Sequence, residues 1–228
     1  MKRGKKLRRS FYVYLFRHGQ TTFNRDGRFT GWLDPGVTKL GTRHARIIAR
    51  KLRRKKFQVA FYTRLKRSKQ TLKEVLKFHP ECKKLIRDDR MIERNYGKLN
   101  GTTHEDFIKK MGKKLYDLEV HGDLIGDLSK EGRREVERAL GEEEFKLIHR
   151  GFYVPPPAGE SFADVEKRVR SFVRDLIKIM KKQKVNVAIS AHGNSIRLFR
   201  KIMEKASIPE TTSWFIPYDK VFFYKVKI

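Results

Sequence analysis

The chain has 228 residues, 39% hydrophobic and 11% aromatic, which is enough for one domain with a proper core and excludes a disordered segment. Its 55 Lys and Arg against 26 Asp and Glu give a formal net charge of +29, a field that draws in anions. The single cysteine, Cys82, excludes an intramolecular disulfide, and no apolar run is long enough to span a bilayer. These features read as a cytoplasmic protein without membrane association.

Residues 1–10 are basic, lack the apolar core of a signal peptide and read as a solvated arm. Phe11–Phe16 reads as the first strand. Thr38–Lys55 reads as a helix capped by Thr38, with Leu40, Ile47, Ile48 and Leu52 on its apolar side. Val59–Tyr62 is a short strand, Leu65–Phe78 a helix ended by Pro80, and Lys84–Arg87 a further strand. Thr102–Leu118 reads as helix, with Phe107, Ile108, Met111 and Leu115 facing inward. Gly122 to Ser129 reads as a loop, and Lys130–His149 as a charged helix. Pro155-Pro156-Pro157 marks a rigid turn. Ser161–Lys182 is a long amphipathic helix. Val185–Ser190 is a buried strand, and Ile196–Lys205 a helix begun at Asn194 or Ser195. Ser213–Ile228 reads as two strands around Pro217-Tyr218-Asp219-Lys220. This alternation predicts a single α/β domain over 11–228, with a mostly parallel central sheet flanked by helices on both faces. The stretch from about 102 to 157 has no strand and reads as a helical insertion or lid.

Two strand ends carry chemistry. Arg17-His18-Gly19 follows the first strand, and His192-Gly193-Asn194 follows the strand ending at Ser190. Parallel neighbouring strands would bring both junctions to one sheet edge, where open α/β sheets place their ligands. Neutral imidazole is a nucleophile toward phosphorus, and guanidinium groups match phosphoryl oxygens. Adjacent arginines keep such a histidine neutral by disfavouring the imidazolium. Taken singly, each of these residues has a bland reading, as a strand-end histidine, a solvated arginine or a packed aromatic. The seven histidines and one cysteine show no paired metal-ligand spacing, so no metal site is expected.

Four segments in order resemble the histidine phosphatase (phosphoglycerate mutase-like) superfamily. They are Arg17-His18-Gly19-Gln20-Thr21, Phe29-Thr30-Gly31-Trp32, Thr63-Arg64-Leu65-Lys66-Arg67-Ser68-Lys69-Gln70-Thr71 and Ala191-His192-Gly193-Asn194-Ser195. The resemblance implies a phosphohistidine on His18, with Arg17, Arg67 and His192 holding the phosphoryl group and Thr21 and Asn24 at the pocket's edge. Ile92-Glu93-Arg94-Asn95-Tyr96-Gly97 further resembles the 2,3-bisphosphoglycerate-dependent phosphoglycerate mutases. That branch implies Glu93 as proton donor and acceptor, and substrate contacts from Thr30, Gly31, Tyr96, Arg150, Gly193 and Asn194. The chain departs from it at His104 and His149, where the mutases carry cations.

The resemblance implies interconversion of 2- and 3-phosphoglycerate, primed by 2,3-bisphosphoglycerate, with no permanently bound cofactor and no metal. The alternative is a phosphomonoesterase in which water takes the phosphoryl group from His18. A nucleic-acid-binding role is disfavoured because the basic residues are spread along the whole chain and no recognised binding motif occurs. The expected partner is a small phosphorylated anion, and a homo-oligomer is compatible with this reading. His104 and His149 are expected to titrate, so that substrate binding tightens as pH falls.

Overall fold

The computed structural model describes residues 10–119 and 128–227. Five strands form one sheet in the order β3-β2-β4-β1-β5. They are β1 (Ser10–Arg17), β2 (Val59–Tyr62), β3 (Lys84–Arg87), β4 (Val187–Ala191) and β5 (Val221–Lys227). β1 runs parallel to β4, β2 runs parallel to β4 and β3, and β5 pairs antiparallel with β1 at the edge. β4 is buried along its whole length, as its unbroken apolar run requires of a central strand.

Helices cover both faces. α1 (Thr22–Arg25) is a single turn. α2 (Lys39–Leu52) and α3 (Lys66–Leu76) bury Ile48, Ala49, Leu52, Leu72 and Val75 against Tyr14, Phe16, Ala60 and Ala188 on one face. α6 (Phe162–Gln183) and α7 (Gly193–Glu204) pack on the other, against Val13, Leu15, Phe61 and Ile189. The chain leaves β1 through α2 toward β2, and leaves β4 through α7 and α8 (Ile208–Ser213) toward β5. These connections depart in opposite directions on opposite faces. A crevice therefore opens between the carboxyl ends of β1 and β4, the usual ligand position in such sheets.

Residues 102–157 hold the antiparallel pair α4 (His104–Glu119) and α5 (Lys130–Arg150). Gly112 and Gly141 let them approach closely, because a Cβ at either would collide with backbone carbonyl oxygen of the opposite helix. Of the expected loop at 122–129, residues 120–127 lie outside the described residues, as does the arm at 1–9.

Two expectations are corrected. The C-terminal segment holds one strand, not two. Ser207 caps α8 with Pro209 in its first turn, and the backbone from Trp214 to Lys220 is irregular. The carbonyls of Trp214 and Ile216 accept hydrogen bonds from Arg197 Nε and Arg17 Nη1, at 2.9 Å each, so they serve side chains rather than a ladder. The helix after β4 also starts earlier than expected. It begins at Gly193, with His192 as the N-cap residue and Ser195 Oγ accepting from the His192 N–H at 3.3 Å.

Candidate active site

The register Arg17↔Ala191 sets the ends of β1 and β4 side by side, and His18 N–H donates to Ala191 O at 3.0 Å. His18 and His192 are thereby brought together, their ring centroids 5.0 Å apart. Gly19 permits this turn, since a Cβ there would strike the Gly41 carbonyl at the start of α2.

The tautomer of His18 follows from its contacts. Nδ1 lies 2.8 Å from Gly19 O, an acceptor only, so Nδ1 carries the proton. Nε2, which holds the ring's one in-plane lone pair, accepts from Arg67 Nε at 3.3 Å, a long bond that must give way before Nε2 can act as a nucleophile. Complete burial, then Arg67 and Arg17, hold the His18 pKa well below the ordinary histidine value. The same causes act on His192, with burial and Arg67 leading. His192 Nε2 faces Thr63 Oγ1 at 2.8 Å, while its buried Nδ1 has no partner among the described residues. When Thr63 donates its hydroxyl proton, His192 presents Nδ1–H as a free donor.

Arg67 is fully buried and fixed by Leu33 O (2.6 Å) and Gly31 O (2.9 Å), with Asp34 3.7 Å away. Burial lowers its pKa to about 10, so it remains a cation. Arg17 extends from Ile216 O across the Tyr218 ring, 4.0 Å from its centroid, and its Nε has no partner among the described residues. The N-termini of α3 and α7 end at this spot and add their partial positive charge.

Among the described residues, Glu93 is the only carboxylate lining the cavity, and it is buried. Its Oε1 accepts the backbone N–H groups of Arg94 (2.9 Å) and Asn194 (3.1 Å). Oε2 has no partner among the described residues and is the atom left to carry a proton. Its carbonyl accepts from Trp32 Nε1 at 2.8 Å, which ties the 29–32 loop to the site.

The cavity above these residues measures about 210 Å³. It is lined by Arg17, His18, Asn24, Thr30, Gly31, Arg67, Glu93, Tyr96, His104, His149, Arg150, Gly193 and Asn194, all expected from the sequence. Thr21 does not line it. Its hydroxyl caps α1 and bonds Asn24 Oδ1 at 3.0 Å, because an N-cap hydroxyl must turn back onto its own helix. Thr21 orients Asn24 and is not a contact residue.

Arg197, Arg28, Phe215 and Tyr218 also line the cavity and were missed. Arg197 was legible as i+3 from Asn194, whose Oδ1 it meets at 2.6 Å. Burial, then Arg150, lowers its pKa to about 9. No local pattern marks Tyr218, which arrives from the misread C-terminal segment. Arg94, fully buried, lies against the Tyr96 ring, and among the described residues its Nε and Nη1 and the Nη1 of Arg150 have no partner.

His104 and His149 do face the cavity, 5.5 Å apart, within a wall of Phe29 and Phe145. They are not poised to titrate near neutrality. Burial, then Arg150, His104, Arg94 and Arg197, push the His149 pKa down to about 2, and burial lowers that of His104.

His18, Glu93 and His192 bring three ligand-type atoms within 4.8 Å of one another. Arg67 already donates to His18 Nε2, and Arg17 stands alongside, so this donor set suits an anion rather than a metal cation. Among the described residues, no helix is long and apolar enough to cross a membrane.

Comparison with known proteins agrees with this geometry. The model of the histidine phosphatase superfamily (branch 1) matches residues 13–123 and 124–223. A 2,3-bisphosphoglycerate-dependent phosphoglycerate mutase of Nitrobacter winogradskyi is 32% identical over 199 residues, 86% of this chain and 82% of its own. The protein of that name from Pseudoalteromonas atlantica is 29% identical over 201 residues, 88% of this chain and 87% of its own. Among solved structures, a phosphoglycerate mutase from Bacillus anthracis superposes with TM-score 0.68 at 18% identity, covering 96% of this chain and 89% of that one. A mycobacterial glucosyl-3-phosphoglycerate phosphatase gives 0.63 at 21%, covering 90% and 84%. The structural likenesses speak to the fold alone. The family match spans nearly the whole described chain and contains both strand-end histidines, and the chain belongs to the histidine phosphatase superfamily as a phosphoryl-transfer enzyme.

Proposed function

We propose that the protein is a phosphoglycerate mutase, interconverting 2- and 3-phosphoglycerate through a phosphohistidine on His18 primed by 2,3-bisphosphoglycerate. The carrying observation is a charge imbalance. Arg17, Arg28, Arg67, Arg150 and Arg197 line one small cavity, and among the described residues Glu93 is the only carboxylate lining it. Arg17 and Arg67 flank His18, whereas Arg150 and Arg197 stand by Tyr96 and Asn194. Two groups of cations suit a ligand with two anionic groups, such as a phosphoryl and a carboxylate or second phosphate.

In this reading His18 Nε2 attacks phosphorus in line with the leaving oxygen. Arg17, Arg67, His192 Nδ1–H and the α7 N-terminus hold the equatorial oxygens. Glu93 Oε2 gives its proton to the departing hydroxyl oxygen. It then takes a proton from the hydroxyl that receives the phosphoryl group from His18, so the cycle restores both residues. Thr30, Gly31, Asn24 and Tyr96 position the glycerate, and no metal takes part.

The alternative is a phosphomonoesterase, in which water takes the phosphoryl group. It is favoured by the uncharged imidazoles of His104 and His149 on the outer wall and by the relatedness in fold to named phosphatases. A coupled assay on 3-phosphoglycerate, with and without 2,3-bisphosphoglycerate, separates the two. The mutase reading requires stimulation by the bisphosphate and isomerisation faster than release of inorganic phosphate. The reverse order establishes the phosphatase.

A further inference from the structure

The charge of +29 is not spread evenly once the chain is folded. Between Lys39 and Lys77 the only acidic residue is Glu74. α2 presents Lys39, Arg43, Arg46 and Arg50 at i, i+4, i+7 and i+11, all exposed and on the side away from its buried Ala45, Ile48 and Leu52. α3 presents Lys66, Lys69 and Lys73, continued by its C-cap residue Lys77, at i, i+3, i+7 and i+11, also exposed. Both helices connect parallel strands across the same sheet face, so the two basic stripes run side by side in the same direction. On α5, by contrast, the cations are diluted by Glu131, Glu135, Glu137, Glu142, Glu143 and Glu144.

A groove of about 560 Å³ lies between the stripes, with Ile47, Ala49 and Phe78 among the basic side chains lining it. Phe78 is 44% exposed at its end. Glu74 meets Arg46 at 3.8 Å and Lys77 at 2.7 Å. Among the described residues, Lys39, Arg43, Arg50, Lys69 and Lys73 make no ion pair, although interspersed carboxylates are the ordinary way to stabilise such a surface.

We infer that the α2–α3 face binds single-stranded nucleic acid, with phosphates along the two stripes and a base against Phe78 in the groove. The charge pattern selects a polyanion. α2 alone has 14 residues and runs for about 21 Å, longer than one small phosphorylated metabolite. The apolar side chains line the groove itself, where a splayed base can stack; a duplex keeps its bases inside and has no use for such a floor. The groove shares no lining residue with the phosphoryl cavity, so the inference is independent of which substrate that cavity takes.

The test is fluorescence anisotropy of the full chain with a labelled twelve-nucleotide oligouridine across a salt series. Wild type should bind more tightly than about 100 µM near physiological salt, with affinity falling steeply as salt rises. Arg43→Glu/Arg50→Glu should weaken binding at least about tenfold and flatten the slope of log K against log salt by roughly 1.4, about 0.7 for each lost phosphate contact. Phosphoryl-transfer turnover should be unchanged in that variant, which also reports that it is folded. Phe78→Ala should weaken oligouridine at least about fivefold, the low end for one base–aromatic stack, and leave heparin binding unaltered. Three outcomes overturn the inference. One is equal loss from Lys178→Glu/Lys181→Glu on α6, which would mean a diffuse field. Another is loss of binding to phosphatidylserine vesicles without loss of oligouridine, which would mean a membrane surface. The third is wild-type binding weaker than the stated limit.

Discussion

Tyr218→Leu should weaken phosphoryl binding although Tyr218 is remote in sequence from every motif of the site. Its ring supports the Arg17 guanidinium at 4.0 Å and stacks on His44, with centroids 5.2 Å apart and planes 6° from parallel. Arg17 keeps one anchor, Ile216 O at 2.9 Å, so removing the ring frees the fork to swing about that bond. A cation–π contact is worth about 0.5–1 kcal/mol when exposed and about 2 when desolvated. Arg17 is half-buried at a cavity wall, so about 1–2 kcal/mol is expected, or roughly a 5- to 30-fold fall in kcat/KM. Affinity for vanadate or inorganic phosphate should fall in step, because the loss precedes any difference between ground and transition states. Tyr218→Phe keeps the ring, and the tyrosine hydroxyl makes no hydrogen bond among the described residues, so that variant should stay within about twofold of wild type. Initial rates and vanadate inhibition of the three proteins decide the matter. Unchanged constants in Tyr218→Leu, or equal losses in Phe and Leu, would refute the claim that the ring positions Arg17.

Incubation with labelled bisphosphoglycerate should leave acid-labile, alkali-stable phosphate that disappears in His18→Ala; label persisting in that variant would move the nucleophile elsewhere. Thr63→Val removes the group that fixes the His192 tautomer at 2.8 Å and leaves a buried nitrogen unpaired. It should lower kcat by roughly tenfold for a loss of about 1–2 kcal/mol, with KM little changed. Folding stability should also fall with acidity. His18, His192 and His149 are held neutral by burial, with pKa values below that of the unfolded chain. The unfolded state therefore binds more protons below pH 6.5, and each histidine costs up to about 1.4 kcal/mol per pH unit beneath it. Urea unfolding at pH 7.5 and 5.0 should differ by several kcal/mol, and equal midpoints would show that these rings charge freely in the folded protein.

The phosphoryl centre was legible because its parts are local. A β-prone run followed by Arg17-His18-Gly19, and a second run followed by His192-Gly193, each state a strand end and the groups it displays. Parallel pairing of β1 and β4 does the rest. The sheet was legible for the same reason, with β2 and β3 falling at the expected residues. The C-terminal segment was not. The stretch around Trp214 to Pro217 has β-prone composition, but its carbonyls are claimed by Arg197 and Arg17 from distant elements, and no periodicity records a bond made across such a separation. Tyr218 was hidden with it. The basic surface was hidden differently. Its residues were all visible, but which of them share a face is set by the packing of α2 against α3.

The lid shows how burial can reverse an inference drawn from residue type. In isolation, His104 and His149 suggested groups that gain charge in mild acid. In the fold they lie among Phe29 and Phe145, and His149 has Arg150, Arg94 and Arg197 around it. A further positive charge there is opposed both by loss of solvent and by three permanent cations. A single bound anion must first offset those arginines before it can favour an imidazolium. Substrate binding through His149 is therefore expected to use a neutral ring, one donor and one acceptor, so that from neutral into mildly acid pH His149 adds no ionisation of its own to the Michaelis constant beyond that of the substrate's phosphate, whose second pKa is about 6. His149→Arg would place a fourth guanidinium beside Arg94, Arg150 and Arg197. It should tighten binding of a bis-anionic ligand while lowering the stability of the unliganded protein, and the ligand-induced rise in Tm should grow accordingly. If His149→Arg instead leaves both the unliganded Tm and the ligand-induced shift as in wild type, the ring does not share the field of these arginines, and the electrostatic account of the lid fails.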